Sequence, residues 1–396
     1  MVKNKPTRRQ HYIPQFYLKN FALTDNRLNV FSLVNEKCHS TAIKNIAKED
    51  FYYGNDEAAL KLESGLSKHE GKHSAILKKI IDNYNLNRLD NDDYTLLHVY
   101  TLFQEARSKS SKLFSIYFTN TQNADGKPDI NTFKKSPRNF GKEMGHQYRT
   151  AFGRILQAPI LSYEGISDLQ PALIINTTDN NFICSDAPTV RFNQLKIENE
   201  RLMSLFSPGL QIFYPINNEI LLLFYDPKAY QIDFDYNSSI CYIDTQTDLD
   251  SLNKLQLINA NDFILFSDIN QKENIEYIYS EIKTIIQKNT QEQLGSFEKG
   301  KKFLKGLDDN YWNIWCSISK YFNYRLNLSF IHPCVDYEQY WLKKYYSALE
   351  RGIKPELVRN NDLKKRIDEN IKKAVKHPRS VFQNSDITSD GWQKLR

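Results

Sequence analysis

Residues 56–84, DEAALKLESGLSKHEGKHSAILKKIIDNY, and residues 92–114, DDYTLLHVYTLFQEARSKSSKLF, decide how this chain folds. Both repeat apolar side chains at steps of three and four, the period of a helix with one buried face. In the first stretch Ala59, Glu63, Leu66, Glu70, His73, Leu77, Ile80 and Tyr84 share that face. In the second it is Leu96, Tyr100, Phe103, Arg107, Ser110 and Phe114. The pattern predicts helices over about 56–84 and 92–118, joined by a short polar link and packed as an antiparallel hairpin.

Arg107 stands in an apolar row, and a charge is too costly to bury without a partner. It is therefore expected to face Glu63 or Glu70, with Gln104 beside it, because a guanidinium clamps a carboxylate at two points. One reading is an ion pair that sets helix register. The other is a polar pocket in which a carboxylate and His73 carry protons and Arg107 holds a phosphate or oxyanion.

The same stretch contains His69-Glu70-Gly71-Lys72-His73, an H-E-x-x-H sequence that on a helix can hold zinc between its histidines. Asp92, Asp93 or Glu105 would have to supply a third ligand. Gly71 weakens the helix and the Lys72 ammonium opposes a cation, so coincidence competes with this reading. Glu70 with His73 and Glu143 with His146 also form two E-x-x-H pairs, as di-iron bundles do, but Glu63 shares a helix with Glu70 and leaves a required slot unfilled.

Outward from the hairpin, residues 119–139 are polar and rich in breakers, and a third helix is expected over about 141–157. From about 172 to 266 the period becomes that of strands. Expected pairs are Ala172–Asn176 with Phe182–Cys184 around a turn at Asp179–Asn181, and Leu210–Tyr214 with Glu219–Tyr225 around Pro215–Asn218. Strand-like runs at Leu28–Leu33 and Ala42–Ile46 precede the hairpin. The expected fold is α+β: a helical N-terminal half with a long antiparallel helix hairpin, a central, mainly antiparallel sheet, and a mixed, mostly helical C-terminal region. Two domains are expected, 1–290 and 291–396, the second basic and containing all four tryptophans. Those aromatics read as core before they read as stacking platforms for bases.

The longest apolar run, Ile220–Tyr225, is far short of the roughly 20 residues a membrane helix needs. Five scattered cysteines without a C-x-x-C fit neither a disulfide framework nor a four-cysteine zinc site, and a reducing cytoplasm is the expected location. Net charge is +6 over 396 residues. Residues 295–396 carry 20 Lys+Arg against 12 Asp+Glu, and residues 1–25 carry five against one. Two basic ends can steer a polyanion such as DNA or RNA, or they can simply be solvated lysines. No phosphate-binding glycine loop, dinucleotide fingerprint or nucleophile elbow is present.

Two further positions stand out. His11 opens the aromatic segment HYIPQFYLKNF, either as a packing histidine or as one presented to a site. Asp186 follows the apolar run Phe182–Cys184 in SDAP, either capping a turn or pointing outward as a ligand or base. A PD-(D/E)xK nuclease core fits poorly, since Glu219 is followed by Ile-Leu rather than x-Lys.

The segment His11–Phe21 fits H-x-x-P-x-x-x-L-x-x-F and resembles the opening signature of the bacterial domain-of-unknown-function family DUF4238. The resemblance continues through Phe51–Tyr52, Glu63 and Glu70, Gln104 with Arg107, FICSDAP at Phe182–Pro188, and the strands around Pro215. It covers roughly residues 8–290. It implies an accessory or effector protein of bacteria and their mobile elements, with nuclease activity and anti-phage defence as expectations. It also implies one joint site of His11, Glu63, Glu70, Gln104, Arg107 and Asp186. A nuclease-like hydrolase using Mg or Mn is the first expectation. The alternative is a non-catalytic sensor or accessory subunit, binding nucleic acid or a partner protein of a defence system, whose buried ion pairs are structural.

Overall fold

A computed structural model of the chain describes residues 8–22, 25–55, 57–112, 162–195, 205–235, 238–286 and 324–334, with single positions at 156, 159, 160, 362, 365, 366 and 369. The fold is α+β, as expected. Strand β1 (Arg9–His11) and helix α1 (Gln15–Lys19) are followed by strands β2 (Arg27–Ser32), β3 (Lys37–Ala42) and β4 (Lys48–Asp50). The two long helices come next, α2 (Glu57–Asn83) and α3 (Asn91–Ala106). They run antiparallel: Lys79, late in α2, pairs with Asp93, early in α3, while Glu70 reaches Arg107 at the far end. Asp90 and Asp93 form a reciprocal capping box that starts α3.

The second helix is shorter than its periodicity predicts. Arg107 is its C-cap, and the hydroxyl of Ser108 accepts the Ser111 N–H, which starts a new helical turn at 109–112. A serine oxygen competing for backbone donors ends α3 where apolar spacing alone carries it on. Residues 113–118 and the expected helix over 141–157 lie outside the described residues, save Leu156, which is buried.

Strands β5 (Gln170–Asn176), β6 (Cys184–Ser185), β7 (Val190–Phe192), β8 (Gln211–Pro215), β9 (Ile220–Tyr225), β10 (Tyr230–Ile232) and β11 (Ile240–Ile243) come after the hairpin. They lead to α4 (Gln246–Asn259), β12 (Phe263–Phe266), helix α5 at 272–286 and β13 (Ile331–Pro333). One sheet has the order β11-β5-β9-β8-β7, antiparallel except for the β11–β5 pair. A second, fully antiparallel sheet has the order β3-β2-β12-β6. The β8–β9 hairpin forms as its sequence predicts. The expected partner of β5 does not: Cys184–Ser185 pairs with β12 in the other sheet. The early hairpin is β2 with Lys37–Ala42, and residues 43–45 form a 3-10 turn rather than strand.

Sequence-distant residues close the core. Strand β13 pairs with β10, and Leu326, Leu328, Phe330 and Ile331 are buried against α4, α5 and the back of the five-stranded sheet. The expected boundary near 290 and most of 291–396 lie outside the described residues. No helix among the described residues is long and apolar enough to cross a membrane.

Candidate functional site

The amino-terminal segment lies across the helix hairpin, and Arg107 is where the pieces meet. Strand β1 pairs with β4, setting His11 opposite Lys48 and Gln10 opposite Glu49. Alternation along a strand sends neighbouring side chains to opposite faces. Gln10 therefore turns inward. Its amide donates to Glu63 and, at 3.0 Å, to the Gly54 carbonyl, and its oxygen accepts the Tyr53 N–H at 2.6 Å. The turn Phe51–Gly54 that delivers Tyr52 and Tyr53 needs a left-handed backbone at Phe51 (φ 52°) and Gly54 (φ 117°).

The Arg107 side chain is only 2% exposed, and its nitrogens end on protein acceptors. Nη1 donates to Glu70 Oε1 at 2.7 Å, Nε to the Tyr53 hydroxyl at 2.8 Å, and Nη2 to the His11 carbonyl at 2.9 Å. The Tyr53 hydroxyl in turn donates to the same carbonyl at 3.1 Å, and the Tyr52 hydroxyl donates to the Arg107 carbonyl at 2.7 Å. The guanidinium lies 5.7 and 5.8 Å from the Tyr53 and Phe103 ring centres. Burial opposes its charge, but Tyr53 and Glu70 outweigh that and raise its pKa above the usual arginine value. Burial pushes the Tyr53 phenol up to about 12. Glu70 keeps a quarter of its side chain exposed.

The other expected members fall around this knot. Gln104 is buried and its amide donates to the Tyr12 carbonyl at 3.4 Å. His11 contributes its carbonyl to Arg107. Its ring is held near pKa 4 by burial, with Lys48 and Arg107 also disfavouring a proton. The ring thus belongs to the Lys48 side of the segment, whereas Gln10, which no sequence pattern singles out, is the side chain that meets Glu63. Asp186 is fully buried and caps a turn: it accepts the N–H groups of Asn261 at 2.6 Å and Asp262 at 3.0 Å. It borders a second polar cluster, in which Lys109 binds Asp262 and Glu49 and Lys112 binds Glu49 at 3.1 Å. Glu49, Lys109, Lys112, Tyr53 and Gln10 carry no periodic signal. The FYYG turn, with two tyrosines just before a helix, is the one local cue to this group.

The zinc reading loses its ligands. Asp93 caps α3 and pairs with Lys79, while Glu105 is taken by the buried Arg191, with Nε···Oε2 at 2.9 Å. His73 is buried flat against Tyr100, with ring centres 3.6 Å apart. Among the described residues no three His, Cys, Asp or Glu side chains gather as a metal site requires. Glu143 and His146, needed for the two-metal version, lie outside the described residues.

The buried histidines make stability pH-dependent. Burial holds His98 near pKa 4, against a weaker upward pull from the Tyr94 carbonyl. His11 and His73 are shifted the same way. The unfolded chain takes up these protons near pH 6.5 and the folded chain resists them. The stability present above pH 6.5 is therefore lost as pH falls toward 4, by up to roughly 3 kcal/mol for His98. Thermal melts from pH 7.5 to 4.5 should slope downward, and His98→Gln should flatten the slope. An unchanged slope would assign the effect elsewhere.

No curated protein and no solved structure matches the chain. The aromatic opening segment, the paired helix glutamates, the Gln104–Arg107 turn and the buried SDAP aspartate all lie in one stretch, residues 9–270, that matches a family profile. The chain accordingly belongs to the family described as "Protein of unknown function (DUF4238)".

Proposed function

We propose that the protein is a nucleic-acid-directed effector that works by binding, with the Arg107 cluster as its architecture. The observation that carries this reading is the enclosure of Arg107. A phosphate clamp needs donors aimed at solvent, whereas each nitrogen of this guanidinium donates to a protein acceptor and the side chain is sealed. Asp186 is likewise occupied by two backbone donors. The basic balance of residues 1–25 and 295–396 supports a polyanionic partner. The resemblance to accessory genes adds a partner protein of a bacterial defence system as context.

Hydrolysis of a phosphodiester is the second reading, and Glu70 favours it. One of its oxygens is fixed by Arg107 while a quarter of the side chain meets solvent, so it can accept a proton from a water or hydroxyl. Among the described residues no third His, Cys, Asp or Glu gathers with these glutamates, so a Mg or Mn ion here would need substrate phosphate oxygens to complete its shell. Incubating the purified chain with DNA and RNA tests both readings. Binding that weakens steeply as salt rises from about 50 to about 200 mM, unchanged in Glu70→Gln, supports the binding reading. Cleavage that disappears in a folded Glu70→Gln variant supports the hydrolytic one. Neither binding nor cleavage would sink both.

A further inference from the structure

The four-stranded sheet β3-β2-β12-β6 treats its two edges differently. At β6 the outward N–H groups of Ile183 and Ser185 are covered by α4: they donate to the side chains of Asn253 and Gln256, both at 3.1 Å. Strand β3 has no such cover. Leu33 N–H donates to the Asp262 carbonyl, on the β12 side, and Ile43 N–H donates to the Asn26 carbonyl, continuing the β2–β3 register. Alternation along the pair then bonds Lys37, His39 and Thr41 to β2 and turns the backbone of Cys38, Ser40 and Ala42 outward. Among the described residues these outward groups meet one protein partner, an Arg27 guanidinium N–H donated to the Ser40 carbonyl at 3.1 Å. Lys37, His39 and Ser40 are exposed, and Cys38, Thr41 and Ala42 are half-buried.

An open edge of this kind is a template for another strand, and folded proteins blunt it with proline, a bulge, a charge or a very short strand. Strand β3 runs six residues in unbroken register with β2, contains no proline and carries its one charge, Lys37, at its end. We propose that β3 is a self-association edge, on which two copies of this chain pair antiparallel about a twofold axis at Ser40.

The sequence of the edge selects a second copy. Outward groups must face outward groups, so Ser40 opposes Ser40 of the second copy and Cys38 opposes its Ala42. Each outward N–H then meets a carbonyl, and the Ser40 carbonyl has a second lone pair beside the one Arg27 uses. The same register sets Glu36 opposite Lys44 of the second copy, and the twofold repeats that pair. Both residues are exposed. Glu36 already pairs through one oxygen with Lys283 at 2.6 Å, yet 46% of its side chain remains in solvent. No like charges oppose each other, since Lys37 meets Ile43 and His39 meets Thr41. Sliding the pair by two residues, the next step that keeps outward groups opposed, separates Glu36 from Lys44. The charges therefore fix the register as well as the partner.

Sedimentation velocity of the full chain tests the proposal. The wild type is expected to pass from monomer to dimer as its concentration rises to roughly 0.1 mM, which populates any dimer with a micromolar Kd. Ser40→Pro removes the outward N–H at the axis and leaves the bonds to β2 intact, as proline does on an edge strand. It is expected to stay monomeric, with a melting curve like that of the wild type. Lys44→Glu and Glu36→Lys each set like charges opposite at two symmetric positions, and each should raise the dimer Kd about tenfold at low salt. Mixing these two variants restores opposite charges at both positions and should return the Kd to near the wild-type value. This charge cycle keeps the test decisive if Ser40→Pro does not fold. A wild-type chain that is monomeric throughout overturns the proposal, as does a dimer that Ser40→Pro or the charge variants leave unchanged.

Discussion

Arg107→Ala is expected to cost about 3–5 kcal/mol, the loss caused by removing one partner of a buried ion pair. The Glu70 carboxylate is a quarter exposed and can rehydrate. The Tyr53 hydroxyl and the His11 carbonyl each lose an N–H donor. The loss therefore falls on the attachment of β1 to the hairpin, and His11–Phe21 should become accessible to protease before the rest unfolds. Arg107→Lys should recover less than half the loss. A single ammonium carries the charge but cannot span three acceptors in a planar fork. Urea denaturation of the three proteins gives the comparison. An Arg107→Ala loss below about 1 kcal/mol would mean the guanidinium is not holding the segment.

A chain stopped at residue 323 should fail to fold, although the family match ends at 270. The reason is the strap at 324–334. It buries Leu326, Leu328, Phe330 and Ile331, each contributing roughly 1.5–3 kcal/mol. It also satisfies polar groups elsewhere: Ser329 donates through N–H and hydroxyl to the buried Asp248 at 2.8 and 2.6 Å, and Asp233 N–H donates to the Phe330 carbonyl at 3.0 Å. Together these terms rival the whole stability of an ordinary domain, about 5–15 kcal/mol. Comparing chains that end at 323 and at 340 separates the strap's contribution from that of residues 341–396. Phe330→Asp in the full chain should reproduce the defect by placing a charge in the same core. A native melting curve for the shorter chain would show that the strap is dispensable.

Much of this was legible in the letters because it is local and periodic. The helix hairpin and the β8–β9 hairpin arise from side-chain period and turn residues alone. Burial of Arg107 against an acid was expected from the cost of an unpaired charge in an apolar row. Gln10 shows the part that was not legible. It has no pattern of its own, and it reaches Glu63 only because β1 pairs with β4 and alternation turns it inward. Ser108 ends α3 through one side-chain hydrogen bond that spacing cannot report.

The sequence by itself therefore determined the α+β class, the helical pair and the need for a counter-charge beside Arg107, since each is settled within a few residues. Tertiary structure alone decided that Glu70 rather than Glu63 takes the guanidinium, that Asp186 is a turn cap in a neighbouring cluster, and that residues beyond 320 complete the core. Those outcomes depend on contacts between segments far apart in sequence, such as Asn29 with Ser267. Only closure of the chain brings such segments within the roughly 3 Å over which hydrogen bonds act.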